Sequence, residues 1–420
     1  MKIFRSSIRS VHSPPRMLPL LALMGGGSAL AAGNAEVTGL LLQLFYLVLA
    51  AQVGSWLFAK LGLPRVVGQV AAGVVVGPSL LSVVGESVTM EALAEIGAIF
   101  LMFMVGLETR FKDLLQVGKE ALMVALLGII LPMVGGYFFG VQQGHGNIES
   151  LFIATTLVAT SVGITAKVLQ EMGVLDRKFA QIILGAAVID DILGLTILAV
   201  VSGLGKGGEI SMLGVLTTLG ISVGFVVAVL LIGIPLLRRF QSKLNNLPLA
   251  NSFGMAVVVG LGLAALSSLA GLAPIIGAFL AGMVLAEVKD EHTFESKVHA
   301  LEDFLAPVFF AMVGVKLDLA ALGSPSVLTA GGILTVIAVI TKLVGGFTGA
   351  LSQGRKQALL VGLGMVPRGE VGLIVAGIGL SYGVIQKDVF AQVIVMVLLT
   401  TVLAPIALRI LLGKDTPAPA

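Results

Sequence analysis

Residues 185–195 read GAAVIDDILGL. Asp190 and Asp191 stand side by side in an apolar run from Phe179 to Val201 that carries no other charge. If that run spans a bilayer, each ionised aspartate costs about 2.5–3.5 kcal/mol on insertion scales. The plain reading is a polar contact that only holds helices together. The functional reading is an ion or proton site, which requires partners, an entrance and a moving part elsewhere in the chain.

The composition says what kind of chain surrounds the pair. Of 420 residues, 57% are apolar and only 12% charged, with a mean hydropathy of +1.06. A soluble protein of this length could not cover its surface with so few charges, so the chain is a polytopic membrane protein. It has no cysteine, which excludes disulfides and thiolate metal sites. Residues 1–35 read as a signal peptide. They combine a basic start (Lys2, Arg5, Arg9, Arg16), a short apolar run from Met17 to Leu30, and small residues at Ala29, Ala31 and Ala32. An uncleaved first span is the competing reading.

Thirteen apolar segments follow, beginning near Val37, Pro64, Met90, Ala121, Leu151, Phe179, Met212, Leu249, Ala273, Phe304, Val327, Ala358 and Val389. Each has about the length a bilayer requires. The fifth is interrupted by Thr160, Ser161 and Gly163, and the twelfth by Pro367, Arg368, Gly369 and Glu370. Residues 413–420, GKDTPAPA, are expected to form a disordered tail. With the mature N-terminus outside, seventeen Lys and Arg, Lys167 among them, fall in inner loops and three in outer loops. This is the asymmetry of a chain whose C-terminus is cytoplasmic.

The chain also repeats. Gly173-Val174-Leu175 returns as Gly383-Val384-Ile385, Met104-Val105-Gly106 as Met312-Val313-Gly314, and Gly68 and Gly73 as Gly277 and Gly282. With Phe179-Ala180-Gln181 returning as Phe390-Ala391-Gln392, the offsets run from 208 to 211 residues, which equals seven spans, and an odd number inverts the second copy. The two interrupted spans become symmetry mates. In an inverted repeat such a pair crosses near the midplane and turns half-helix ends toward the transported ion.

Other ionisable residues within spans are Lys342, Arg368 and Glu370. A lone lysine at the depth of Lys342 must pair, deprotonate or find water, and its natural partner is Asp190 or Asp191. Gly345, Gly346 and Gly349 allow close helix approach beside it. Arg368 stays charged, which favours a structural or potential-shaping role over proton carriage. Thr160 and Ser161 offer neutral oxygens to a weakly held monovalent cation. The expected mechanism is competition: one aspartate holds a cation or protons, and the pair of the other with Lys342 opens when the cation binds.

These strings resemble the monovalent cation:proton antiporter superfamily. The closest likeness is to its bacterial Nap-type sodium/proton antiporters and to the membrane domain of Kef-type potassium effluxers. GQVAAGVVVGP at Gly68, FMVGLE at Phe103, ATSVGITAKVL at Ala159, GAAVIDDILGL at Gly185, PVFFAMVGVKLDL at Pro307 and GLGMVPRGEVGLI at Gly362 carry the resemblance. It implies an all-α fold of about 13 transmembrane helices across residues 36–412. The core would comprise about 119–203 and 326–412, the dimerisation domain about 37–112 and 248–320, and a linker helix about 211–238. It implies an elevator-like core, a homodimer in the bacterial inner membrane, and no cofactor beyond the transported sodium (or potassium) ion and protons. Asp190, Asp191 and Lys342 would bind sodium and protons, with Asp191 as the ion ligand and Asp190 as the lysine partner, while Thr160, Ser161, Arg368 and Glu370 would support the ion path. The Asp-Asp pair with a lysine resembles electrogenic members; Kef-type chains typically carry Gln-Asp and a nucleotide-binding regulatory domain, which is not read here. Neither an enzyme nor nucleic-acid binding is implied. An intramembrane aspartyl protease would need aspartates on different helices, and a channel or symporter would not explain a central lysine and repeat as directly.

Overall fold

The computed structural model describes residues 32–205, 212–236, 239, 253–287, 295–317, 319 and 324–413. Most of the expected leader and the tail beyond Gly413 lie outside the described residues. No strand occurs among the described residues. The helices are α1 (Ala32–Lys60), α2 (Arg65–Val76), α3 (Val88–Leu107), the short α4 (Phe111–Gln116), α5 (Gly118–Gln142), α6 (Asn147–Val158), α7 (Val162–Glu171) and α8 (Lys178–Gly205). They continue with α9 (Met212–Ala228), α10 (Phe253–Leu269), α11 (Pro274–Ala286), α12 (Glu295–Val315), α13 (Pro325–Gly349), α14 (Arg355–Gly364), α15 (Glu370–Ser381) and α16 (Lys387–Leu412). Among the described residues, nine helical stretches are long and apolar enough to cross a membrane, α6 and α7 counting as one. Four shorter apolar helices, α2, α10, α11 and most of α15, accompany them.

Local chemistry sets several ends. The Ser87 hydroxyl accepts the Met90 N–H at 3.2 Å and caps α3, and prolines open α11 and α13, where an N–H would lack a partner. Gly173 and Gly383 end α7 and α15 in the left-handed region, with φ of 63° and 69°. At each, the following valine N–H returns to a carbonyl five residues back, Leu169 or Gly379.

That match is one of three. Gly62 pairs with Gly271, Gly144 with Gly354 and Gly173 with Gly383, at offsets of 209 or 210, and together they are all the positive-φ glycines among the described residues. Side-chain packing repeats as well. A Cβ on Gly73 would stand 1.9 Å from the Ala311 carbonyl oxygen, and one on its counterpart Gly282 would stand 2.2 Å from that of Phe103. So α2 meets α12 as α11 meets α3.

The helices gather in two bundles. In one, α1, α2 and α3 pack with α10, α11 and α12; in the other, α5 to α8 pack with α13 to α16. In the second bundle the expected close approaches occur. A Cβ on Gly345 would lie 2.9 Å from the Leu127 backbone, on Gly346 2.6 Å from Gly362 Cα, and on Gly349 2.6 Å from the Val124 N.

Two of the boundaries that differ from the sequence expectation share a cause. Helix α12 begins at Glu295, well before Phe304, and Lys167 lies within α7 instead of a loop. Lys167 pairs with Glu302 of α12, and a compensated charge no longer ends a helix.

Candidate ion-binding site

The two interruptions meet. Helix α6 stops at Val158 and α7 starts at Val162; α14 stops at Gly364 and α15 starts at Glu370. The Ser161 N–H donates to the Pro367 carbonyl at 2.9 Å, and the Thr165 hydroxyl donates to the Gly364 carbonyl at 2.7 Å. A Cβ on Gly369 would stand 2.6 Å from Ser161 Oγ, so the extended segments cross in near contact. Two helix C-termini, partly negative, and two N-termini, partly positive, therefore converge in the second bundle.

Lys342, from α13, reaches this crossing through a slot. It is fully buried, and a Cβ on Gly128 of α5 would lie 3.5 Å from its Nζ. The ammonium donates to Asp190 Oδ2 at 2.9 Å, to Asp190 Oδ1 at 3.2 Å and to Thr160 Oγ1 at 2.9 Å. The Thr160 hydroxyl in turn donates to Asp190 Oδ2 at 2.6 Å. Asp190 and Thr160 are 1% and 3% exposed. The result is a buried, charge-compensated cluster whose members satisfy one another. Thr160, expected as an oxygen for the cation, has its proton directed to Asp190 and a lone pair to Lys342. Its hydroxyl serves the pair.

Asp191 faces elsewhere, as the helical rotation of about 100° per residue requires. It lines a cavity of about 20 Å³ between the bundles, with Met102 of α3, Val162 of α7, and Ile275 and Phe279 of α11 among its apolar walls. That volume holds about one water-sized occupant. Ile275 also borders a larger cavity of about 540 Å³, lined by Glu91, Glu95, Leu195, Phe309 and Ile374 among others. Asp191 thus lies beside a solvent-sized recess that opens toward the Glu91–Lys316 end.

Arg368 is fully buried. Its Nη1 donates to the carbonyls of Met365, Val366 and Pro367 at 3.1, 3.0 and 3.1 Å, neutralising the C-terminal end of α14. Its backbone is held from α16: the N–H donates to Thr400 Oγ1 at 3.2 Å, and the Thr401 hydroxyl donates to its carbonyl at 2.6 Å. Glu370 opens α15, and its side chain lies outside the described residues.

Sequence reading misses Glu302. An apolar run that starts at Phe304 leaves it in the preceding loop, but α12 extends past it and buries it completely. The signal is present: Val298 and Leu305, four before and three after, put Glu302 on an apolar helix face. Nearby Glu108 follows α3 and accepts from Gln170 at 3.3 Å. Burial outweighs that hydrogen bond and raises its carboxyl above the usual range, with Glu295 and Glu302 adding to the rise.

Residues 47–414 match the transmembrane sodium/hydrogen exchanger family. The chain is 35% identical over 415 residues to the high-affinity Na+/H+ antiporter NhaS3 of Synechocystis, covering 89% of this chain and 90% of that one. It is 35% identical over 383 residues to the Na+/H+–K+ antiporter GerN of Bacillus cereus, covering 90% and 97%. It is 34% identical over 368 residues to a Na+/H+ antiporter of Enterococcus hirae, covering 86% and 95%. The fold is similar to that of the sodium proton antiporter MjNhaP1 from Methanocaldococcus jannaschii, with a TM-score of 0.62 at 20% identity over 90% of this chain and 97% of that one. An all-helical membrane chain with crossing broken helices, matched to one family over most of its length, belongs to the sodium/hydrogen exchangers, which are secondary transporters and not enzymes.

Proposed function

We propose that the chain exchanges sodium for protons across the bacterial inner membrane, with Asp191 as the site where cation and proton compete. The observation that carries this reading is the division of labour between adjacent aspartates. Asp190 is committed to Lys342 and Thr160, while Asp191 lines a cavity next to an open recess. The names of the relatives from Synechocystis, Bacillus cereus and Enterococcus hirae support sodium as the cation.

In this mechanism a cation sheds water on entering the Asp191 cavity and replaces a proton there. Its charge draws Asp190 away from Lys342, and the exposed ammonium then releases a second proton. Two protons against one cation make the exchange electrogenic. Access alternates as the second bundle, approximately residues 119–203 and 326–412, moves elevator-fashion against the first, approximately 37–112 and 248–320. The segment 211–238 links them. The paired glycine turns and matching helix contacts support an inverted repeat of about 13 membrane passes, with the N-terminus outside and the C-terminus cytoplasmic. The first bundle forms a homodimer.

A potassium/proton antiporter is the second reading, favoured by the potassium in the name of the Bacillus cereus relative. Purified protein in liposomes with an internal fluorescent pH probe separates the two. A sodium gradient is expected to dissipate an imposed proton gradient, at a rate that depends on membrane potential. Dissipation by potassium alone establishes the second reading; dissipation by no cation removes both.

A further inference from the structure

The two bundles stand apart at one end and are tied at the other. The 540 Å³ cavity separates them at the Glu91–Lys316 end. At the basic end, α7 and α16 of one bundle meet α2, α3, α12 and the α1–α2 turn of the other through polar contacts. Lys167 Nζ donates to Glu302 Oε1 at 2.5 Å. Gln170 Nε2 donates to Glu108 Oε1, and the Arg65 N–H to Glu171 Oε2, both at 3.3 Å. Arg409 Nη1 donates to the Leu63 carbonyl at 2.5 Å. Every one of these joins the two bundles.

The Lys167–Glu302 pair dominates. Glu302 is wholly buried and Lys167 is 12% exposed, so their attraction is weakly screened. Glu302 Oε2 is buried without a hydrogen-bond partner, so the carboxylate depends on Lys167 for compensation. The opposite end has no such device across the gap among the described residues. Helix α15, the repeat mate of α7, carries no charge from Val371 to Ser381 and presents Val371, Leu373 and Ile374 to the recess. The Lys316–Glu91 ion pair lies within the first bundle. Closing the open end would therefore bring the apolar face of α15 against a wall that carries Glu91, Glu95 and Lys316 and separate no ion pair across the gap among the described residues, whereas opening the tied end must pull desolvated opposite charges away from each other.

We infer that the Lys167–Glu302 pair is an electrostatic latch on the basic end, holding the protein open at the Glu91 end and breaking once per transport cycle. The inference rests on the exchange of access between bundles proposed above. Lys167 and Glu302 are positioning residues: they touch neither Asp190 nor Asp191 and act through the relative placement of the bundles.

Because the chain has no cysteine, the test is direct. Met102→Cys places one thiol in the wall of the Asp191 cavity, and a membrane-impermeant thiol reagent is applied to either face of sided proteoliposomes. With the native pair, labelling is fast from the Glu91 face and slow from the basic face. Glu302→Gln or Lys167→Met raises the rate from the basic face by at least about tenfold, because a buried charge that loses its partner strongly destabilises the closed arrangement. Lys167→Arg stays slow, and the exchanged pair Lys167→Glu with Glu302→Lys returns toward the native rate. Thermal melts identify any variant that fails to fold; the charge-retaining variants then carry the comparison, and fast basic-face labelling in both overturns the latch. An unchanged rate in folded Glu302→Gln and Lys167→Met overturns it as well. Labelling needs no cation gradient, so a failure of antiport in liposomes is read separately.

Discussion

Asp191→Asn lowers cation-driven proton flux at least a hundredfold, while the protein still folds and keeps its thermal midpoint within a few degrees. Asparagine matches aspartate in shape but cannot hold a full negative charge or carry a proton. Two unit charges about 4 Å apart attract by about 4 kcal/mol at an effective dielectric of 20, close to three powers of ten in occupancy. Even after desolvation takes some of that gain, a hundredfold loss remains. Folding is spared because the cluster that ties the helices together runs through Asp190, Thr160 and Lys342. Flux in proteoliposomes and a melt in detergent check the two halves together. Retained transport would remove Asp191 from the mechanism.

Lys342→Met produces the second large effect, and it is expected in stability as well as transport. Removing the ammonium leaves the Asp190 carboxylate buried without its charge partner. Breaking a buried pair this way costs about 3–5 kcal/mol, and the loss is capped because Asp190 can take up a proton. The melting midpoint should therefore fall by several degrees, and adding Asp190→Asn should restore much of it by removing the charge left behind. Transport should change in kind. With one of two proton carriers gone, any residual exchange moves one proton per cation and no longer responds to an imposed potential. A variant that keeps both native stability and potential-dependent exchange would show that Lys342 neither ties the helices nor carries a proton.

Much of this arrangement is legible in the sequence because membrane burial is unforgiving. Charges within apolar runs are few, so Asp190, Asp191, Lys342 and Arg368 stand out at once. The repeat is legible because tight turns and close backbone contacts demand glycine, which keeps Gly173 and Gly383, or Gly73 and Gly282, in register. The partner of Lys342 is less legible, since adjacent aspartates differ only in the direction they face, and direction depends on how α8 is rotated against α13. Glu302 and Lys167 escape because a charge near the end of an apolar run ordinarily marks a boundary. Here each supplies the other's compensation, and both helices run through. Arg368 is visible as a charge, but its use as a cap for α14 depends on the chain doubling back, which spacing alone does not encode.

The central claim is that cation and proton compete for one site, and proton release on cation binding tests it most directly. Purified protein in weakly buffered detergent solution with a pH-sensitive dye is mixed with sodium chloride near neutral pH, with choline chloride as the control for ionic strength. Competition predicts that sodium acidifies the solution in proportion to the protein present. It also predicts that Asp191→Asn loses the signal and Lys342→Met reduces it. Saturable sodium binding to the native protein with no proton released would contradict it.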